Sequence, residues 1–173
     1  GVAAGLDDWH ARAEKACVDV GAHMIITTFN QQTLADSAQL IRHEGITSFK
    51  MFMVMPGIMM INDAELLQIM RMTGENGGLA CVHAENGLLI DQLIKEAVAE
   101  GRNEVLNHPR VHPSSTEGEA VHRAIKIAEM ALSPLYIVHV STEEAVTSIA
   151  EARDEGTPVF AETCPHYLFL TDE

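Results

Sequence analysis

The chain has 173 residues, of which 47% are hydrophobic and 21% charged, a balance typical of a folded globular protein. The formal net charge of −14 would repel a phosphate backbone, and the sequence holds no lysine and arginine cluster, so no nucleic-acid partner is expected. No apolar run reaches the roughly 20 residues that span a membrane, and no basic and apolar leader begins the chain, so membrane insertion and secretion are not predicted. The three cysteines are odd in number and lack a C-x-x-C spacing, which predicts free thiols in the cytoplasm.

In chain order, short apolar runs alternate with longer amphipathic segments. A first predicted helix covers Leu6 to Val20. The predicted strands are Ala22 to Thr28, Ile46 to Met53, Leu79 to His83, Leu135 to Val140 and Pro158 to Glu162. The predicted helices between and after them are Leu34 to His43, Asp63 to Asn76, Asn86 to Glu100, Glu117 to Leu132 and Thr142 to Glu155. This alternation predicts an α/β fold with a parallel sheet whose strands are covered on both faces.

No linker or low-complexity stretch divides the sequence, so it is expected to form one domain or part of one. The chain begins with Gly1 in a helical pattern and ends at Glu173, just after a strand-like run. We therefore expect residues 1–173 to be the middle portion of a single barrel domain that is incomplete at both ends.

Two architectures accommodate this element order, a doubly wound open sheet and a (β/α) barrel. A doubly wound nucleotide-binding domain should carry a glycine-rich turn after a strand, and no strand end here reads G-x-G-x-x-G or G-x-x-x-x-G-K-[ST]. Nitrogen-bearing side chains stand at or near three strand ends instead, and these are Lys50, His83 and His139. The carboxyl ends of barrel strands converge on active sites, so these three residues are candidates for one site.

Each of these three residues allows a functional and a structural interpretation. Lys50, flanked by Phe49 and Met51, either extends its amine to solvent or is a desolvated amine that can react with carbon dioxide to form a carbamate. His83 and His139 taken singly are typical of buried structural histidines. Placed together at strand ends with Lys50, they favour ligands for zinc or a similar divalent metal.

Four ordered motifs carry a more specific resemblance. They are Ile46 to Met53, Val82 to Gly87, Tyr136 to Ser141 and Glu162 to Leu168. Together they resemble the dihydropyrimidinase/D-hydantoinase family of the amidohydrolase superfamily, and the resemblance extends over essentially the whole chain.

This resemblance implies a partial (β/α)8 barrel in which Lys50 is carboxylated and bridges two divalent metal ions, with zinc the expected metal. His83 and His139 would be ligands of the second, more exposed metal. The implied activity is hydrolytic opening of cyclic amides or imides, such as hydantoins and dihydropyrimidines, by a hydroxide held between the metals. The implied assembly is a homotetramer acting on a small-molecule substrate.

The sequence departs from the family pattern in two places. The H-x-H of the first strand and the aspartate of the last strand, which complete the family's metal site, have no counterpart here. Met55 stands where the family typically has a substrate-binding tyrosine, whose hydroxyl helps to hold the oxyanion.

Alternative functions therefore stay open at this stage. One is an allantoinase or dihydroorotase-like cyclic amidohydrolase, and another is a non-catalytic scaffold related to dihydropyrimidinase. Retention of Lys50, His83 and His139 argues against the scaffold.

Glu85 and Asn86 could orient His83 or cap the next helix, and His112 is assigned to a polar loop.

Overall fold

Five parallel strands form one sheet in the computed structural model, which describes residues 2–171 of the chain. The strands are β1 (Met24–Ile25), β2 (Ser48–Phe52), β3 (Leu79–His83), β4 (Leu135–Ile137) and β5 (Val159–Ala161). They lie side by side in sequence order, and every neighbouring pair is parallel. A doubly wound sheet would change direction at a switch point, so this unbroken order confirms part of a (β/α) barrel.

The helices cross between successive strands. They are α1 (Val2–Ala13), α2 (Gln31–Gln39), α3 (Asp63–Glu75), α4 (Gly87–Ala99), α5 (His108–Val111), α6 (Ser114–Ala131) and α7 (Glu143–Asp154). A π-helical turn, Leu40–Glu44, extends α2, and short 3₁₀ turns cover Val105–Asn107 and Pro165–Leu168. Successive helices of the set α1, α2, α3, α6 and α7 contact one another, so these five helices form a layer against the sheet. The helices α4 and α5 lie between β3 and α6 in the chain. No helix within residues 2–171 has the length and apolar composition needed to cross a membrane.

The core lies between the sheet and the helix layer. In β2, Phe49 and Met51 are fully buried, while Ser48, Lys50 and Phe52 alternate with them and are half-buried. Register places Ile25, Cys81 and Tyr136 in the same row as Lys50, on the concave face of the sheet. The prediction that both faces are covered fails on this face at the edge strand, where Ile25 is 52% exposed, but holds at the centre of the sheet, where Cys81 is buried. The described strands form an open sheet, and only a closed barrel would cover that face.

Element boundaries differ from prediction mainly where burial is low. The first helix ends at Ala13 rather than Val20, because Val18 is 76% exposed and offers no apolar face to bury. β1 and β5 are the edges of the sheet and are correspondingly short. β3 has the predicted bounds.

Capping groups define several helix ends. Asn62 starts α3 with a capping box, in which its side chain accepts from the Glu65 N–H at 3.0 Å and its own N–H donates to the Glu65 carboxylate at 3.0 Å. Gly45 ends the π-helical turn in the left-handed conformation at φ 69°. These caps fix where the loops at the strand ends begin.

Gly87 lets the start of α4 pack closely against the backbone that follows β2. Its N–H donates to the Met53 carbonyl at 3.1 Å, and a Cβ at this position would lie 2.6 Å from the Val54 Cα and 2.7 Å from the Met53 oxygen. Only glycine fits this close approach between two backbones. The contact brings α4 against the loop that follows β2.

Candidate functional site

A cleft of about 750 Å³ opens at the carboxyl ends of β2, β3 and β4. Its walls come from the loop after β2, the start of α4, helix α5 and the loop after β4. The lining includes Met55, His83, Glu85, His108, His112, Glu117, His139, Ser141 and Tyr167. This is the end of the sheet at which barrel enzymes carry out their chemistry.

His83 and His139 meet at the floor of this cleft. His83 is the last residue of β3, His139 follows β4, and their rings touch edge to face with centroids 4.5 Å apart. Burial is the main cause that lowers the pKa of His139, and the neighbouring His83 and Lys50 lower it further. A lowered pKa keeps the imidazole neutral, which is the form that binds metals. The structure thus brings together two residues 56 positions apart in sequence, while their role as ligands stays a prediction.

Lys50 lies beside this pair on the concave face, outside the lining of the cleft itself. Its Nζ is 5.1 Å from the centre of the Phe52 ring, and that ring lies 5.6 Å from the ring of His83. Burial lowers the pKa of Lys50 to about 8, although the nearby Cys81 and Glu162 oppose the change. A substantial fraction of the amine is therefore neutral at physiological pH, as carbamate formation requires.

Two cleft residues other than glycine have a left-handed backbone. Met55 has φ 62° and His139 has φ 41°. Such conformations cost about 1–3 kcal/mol and persist where the surrounding structure imposes them, often at functional sites. Met55 is held by its carbonyl oxygen, which accepts from the N–H groups of Met59 and Met60 at 3.1 and 3.2 Å. The residue that replaces the expected tyrosine therefore lies in the cleft wall, at a fixed position.

Glu85 links two histidines. Its carboxylate lies 2.5 Å from the Nε2 of His83 and 2.9 Å from the Nδ1 of His112. Burial opposes ionisation of Glu85, but the hydrogen bonds and charges of His112 and His83 outweigh it and lower its pKa to about 2. Asn86 accepts from the Leu89 N–H at 3.2 Å and caps α4, whereas Glu85 is the neighbour that contacts His83.

His112 and Glu117 were missed by sequence reasoning. His112 ends the short helix α5 rather than lying in a loop, and its ring stacks on that of His108 at 4.2 Å. The spacing of four residues between these histidines was the available signal. Glu117 lies in the first turn of α6, which begins at Ser114 rather than at Glu117.

Glu117 holds the loop that carries His139. Its carboxylate accepts from the Ser141 N–H at 2.9 Å and from the Ser141 hydroxyl at 2.5 Å. We expect Glu117→Ala to speed amide exchange in the peptide that contains Ser141 by at least about tenfold and to cost about 1–2 kcal/mol of stability, because both donors lose their acceptor. Hydrogen exchange with mass spectrometry measures the first effect.

The matched control for Glu117→Ala is Glu151→Ala, which removes an exposed carboxylate from α7. The control should leave exchange of the Ser141 peptide unchanged. Equal protection in both variants would show that Glu117 does not hold this loop.

The donor set of the site is suited to part of a metal centre. The imidazoles of His83 and His139 and the partly neutral amine of Lys50 lie together, and no histidine, cysteine, aspartate or glutamate cluster of three or more capable of holding a metal occurs in residues 2–171. The H-x-H and the aspartate of the implied site have no counterpart in the sequence. The chain therefore offers some of the ligands that a binuclear centre needs.

Comparisons with known proteins find relatives and solved structures named D-hydantoinase. The chain is 50% identical over 170 residues to the D-hydantoinase of Streptomyces coelicolor, which covers 98% of this chain and 36% of that protein. It is 42% identical to the D-hydantoinase of Geobacillus stearothermophilus, over 95% of this chain and 35% of that protein. The solved structure of a D-hydantoinase from a Bacillus sp. matches 99% of this chain and 38% of its own, with a TM-score of 0.96 and 42% identity.

The chain thus spans about a third of the length of the curated relatives it matches. No family model matches it.

Proposed function

Because the chain belongs to the D-hydantoinase/dihydropyrimidinase family, we propose that the protein carrying it hydrolyses a ring amide bond in small cyclic amides or imides such as hydantoins and dihydropyrimidines. The observation that supports this most is the ring contact between His83 and His139 at the floor of a cleft of about 750 Å³. Clefts of roughly 300–1,000 Å³ hold small molecules, so a five- or six-membered ring fits this one.

Lys50, His83 and His139 would hold two divalent metal ions, with Lys50 as the bridging carbamate and the histidines on the second metal. Divalent ions bound there would supply Lewis-acid polarisation of the ring carbonyl and a water of lowered pKa. The low pKa of His139 keeps its imidazole free of a proton and ready to ligate. The D-hydantoinase names of the relatives and the strand-end placement of these side chains support the assignment.

Formation of the carbamate follows from the environment of Lys50. The neutral Nζ attacks the carbon of carbon dioxide, a nitrogen–carbon bond forms, one C=O electron pair moves to oxygen, and the nitrogen proton leaves to solvent. Burial and the adjacent Phe52 ring favour the neutral amine over the ammonium ion. The product carries two oxygens, which is what a bridging ligand requires.

The remaining assignments extend the same proposal. Residues 1–173 would form one portion of a single barrel domain, and the protein would assemble as a homotetramer, as the family resemblance implies. Free thiols at Cys17, Cys81 and Cys164 support a reducing compartment, for which we propose the cytoplasm.

The direct test uses the protein expressed from the longest reading frame that encodes this chain. Purified protein is assayed for opening of hydantoin and dihydrouracil, and its metal content is measured by elemental analysis. We expect ring opening and about two metal ions per chain. Protein without metal and without ring opening would contradict the proposal and favour the non-catalytic relative.

Met55 provides a test of how the oxyanion is held. Met55→Tyr introduces a hydroxyl donor into the cleft wall, and we expect kcat for hydantoin to rise roughly tenfold to a hundredfold. Met55→Phe is the matched control, because it adds the same ring without the hydroxyl. Equal rates for the two variants would show that a donor at this position does not act on the reaction.

A further inference from the structure

The Glu85 carboxylate lies between two imidazole rings from different elements. His83 ends β3, Glu85 lies in the loop that follows, and His112 caps the end of α5. One carboxylate oxygen is 2.5 Å from the Nε2 of His83, and the other is 2.9 Å from the Nδ1 of His112. The three side chains are each only 20–21% exposed, so water competes weakly for these bonds.

We infer that His112 is a positioning residue which, through Glu85, fixes the orientation and tautomer of His83 for metal binding. The inference rests on the proposed function and deepens it. Nothing in the sequence resemblance assigns this role to His112.

The chemistry of the carboxylate sets the tautomer. An ionised carboxylate can only accept hydrogen bonds, so the Nε2 of His83 and the Nδ1 of His112 must both carry the proton. A neutral imidazole has one proton, and the Nδ1 of His83 is therefore left with its lone pair. Metal-binding histidines characteristically donate their other ring nitrogen to a carboxylate in this way.

His112 holds the carboxylate oxygen of Glu85 that does not contact His83. Without its N–H, one oxygen of Glu85 would lose its donor and the carboxylate could rotate away from His83. His108 restrains His112 in turn, since the two rings stack with centroids 4.2 Å apart. The four residues form a continuous line, in the order His108, His112, Glu85 and His83, that ends at the ring in contact with His139.

Two substitutions at His112 separate the hydrogen bond from the bulk of the side chain. His112→Phe keeps a ring beside His108 but removes the N–H, whereas His112→Asn restores an N–H near the position of Nδ1. His122→Phe is the matched control, because His122 is exposed on α6, outside the cleft lining. All three are made in the protein from the longest reading frame.

The main measurement is zinc affinity by competition with a chelator, together with the denaturant midpoint of the metal-free protein. We expect His112→Phe to weaken zinc binding about tenfold to a hundredfold, and His112→Asn to recover most of the affinity. His122→Phe should behave as the wild type. A merely structural role would instead lower the midpoint of His112→Phe and leave its zinc affinity equal to that of the wild type.

The outcomes separate this inference from the proposed function. If the wild type binds zinc and opens hydantoin while His112→Phe binds zinc equally well, the positioning role is overturned and the function stands. If His112→Phe weakens zinc binding but the wild type opens no ring, the positioning role stands and the function falls. A wild type that binds no zinc overturns both.

Discussion

Replacing Lys50 with alanine should abolish the proposed activity and reduce metal content below about two ions per chain. The half-buried amine lies beside Phe52 with a pKa lowered to about 8, so it can form the bridging carbamate, and alanine has no atom to replace it. We expect kcat/KM for hydantoin to fall at least about a thousandfold, or about 4 kcal/mol of transition-state stabilisation. Elemental analysis and a ring-opening assay, both with bicarbonate supplied, measure the two effects.

Lys126→Ala serves as the control for Lys50→Ala. Lys126 is an exposed lysine of α6 that pairs with Glu129 and lies outside the cleft lining. Its loss should leave metal content and kcat/KM unchanged. If Lys50→Ala also retained its metal content and its kcat/KM, the assignment of Lys50 as a metal ligand would be wrong. Lys50 would then be a structural lysine that extends its amine to solvent.

The sheet could be predicted because its strands are short apolar runs that alternate with amphipathic helical segments. β3 is the clearest case, since Leu79 to Val82 is apolar and His83 ends the strand. The extent of the first helix could not be predicted, because the apolar residues after Ala13 look helical but remain exposed. Helical periodicity indicates a face that could be buried, and only the tertiary structure decides whether it is.

The candidate site was predictable to the extent that it depends on sheet geometry. Parallel strands end at one edge, so His83 and His139 had to approach each other. His112 depends instead on how α5 folds back over the cleft, and a helix of only four residues gives almost no periodic signal. Its contact with Glu85 depends on the tertiary structure, and the local sequence around neither residue predicts it.

Gly87→Ala should destabilise the protein although alanine is the better helix former. At the first residue of α4, a gain of roughly 0.5–1 kcal/mol in helix propensity is expected. The added Cβ would meet the Val54 Cα at 2.6 Å and the Met53 oxygen at 2.7 Å, and both are backbone atoms that cannot rotate aside. Overpacking of this kind costs about 1–3 kcal/mol and more where backbone must move, so the clash outweighs the propensity.

We therefore expect a net loss of about 2 kcal/mol for Gly87→Ala, measured as a shift in the denaturant midpoint. Gly21→Ala is the matched control, because a Cβ at Gly21 has no heavy atom within 4 Å, and its midpoint should stay within about 0.5 kcal/mol of the wild type. The strained loop at Met55 follows the Met53 and Val54 contact directly, so the cleft wall should shift with it. An unchanged midpoint for Gly87→Ala would mean that α4 and the end of β2 can separate freely, and that this contact does not hold the cleft in shape.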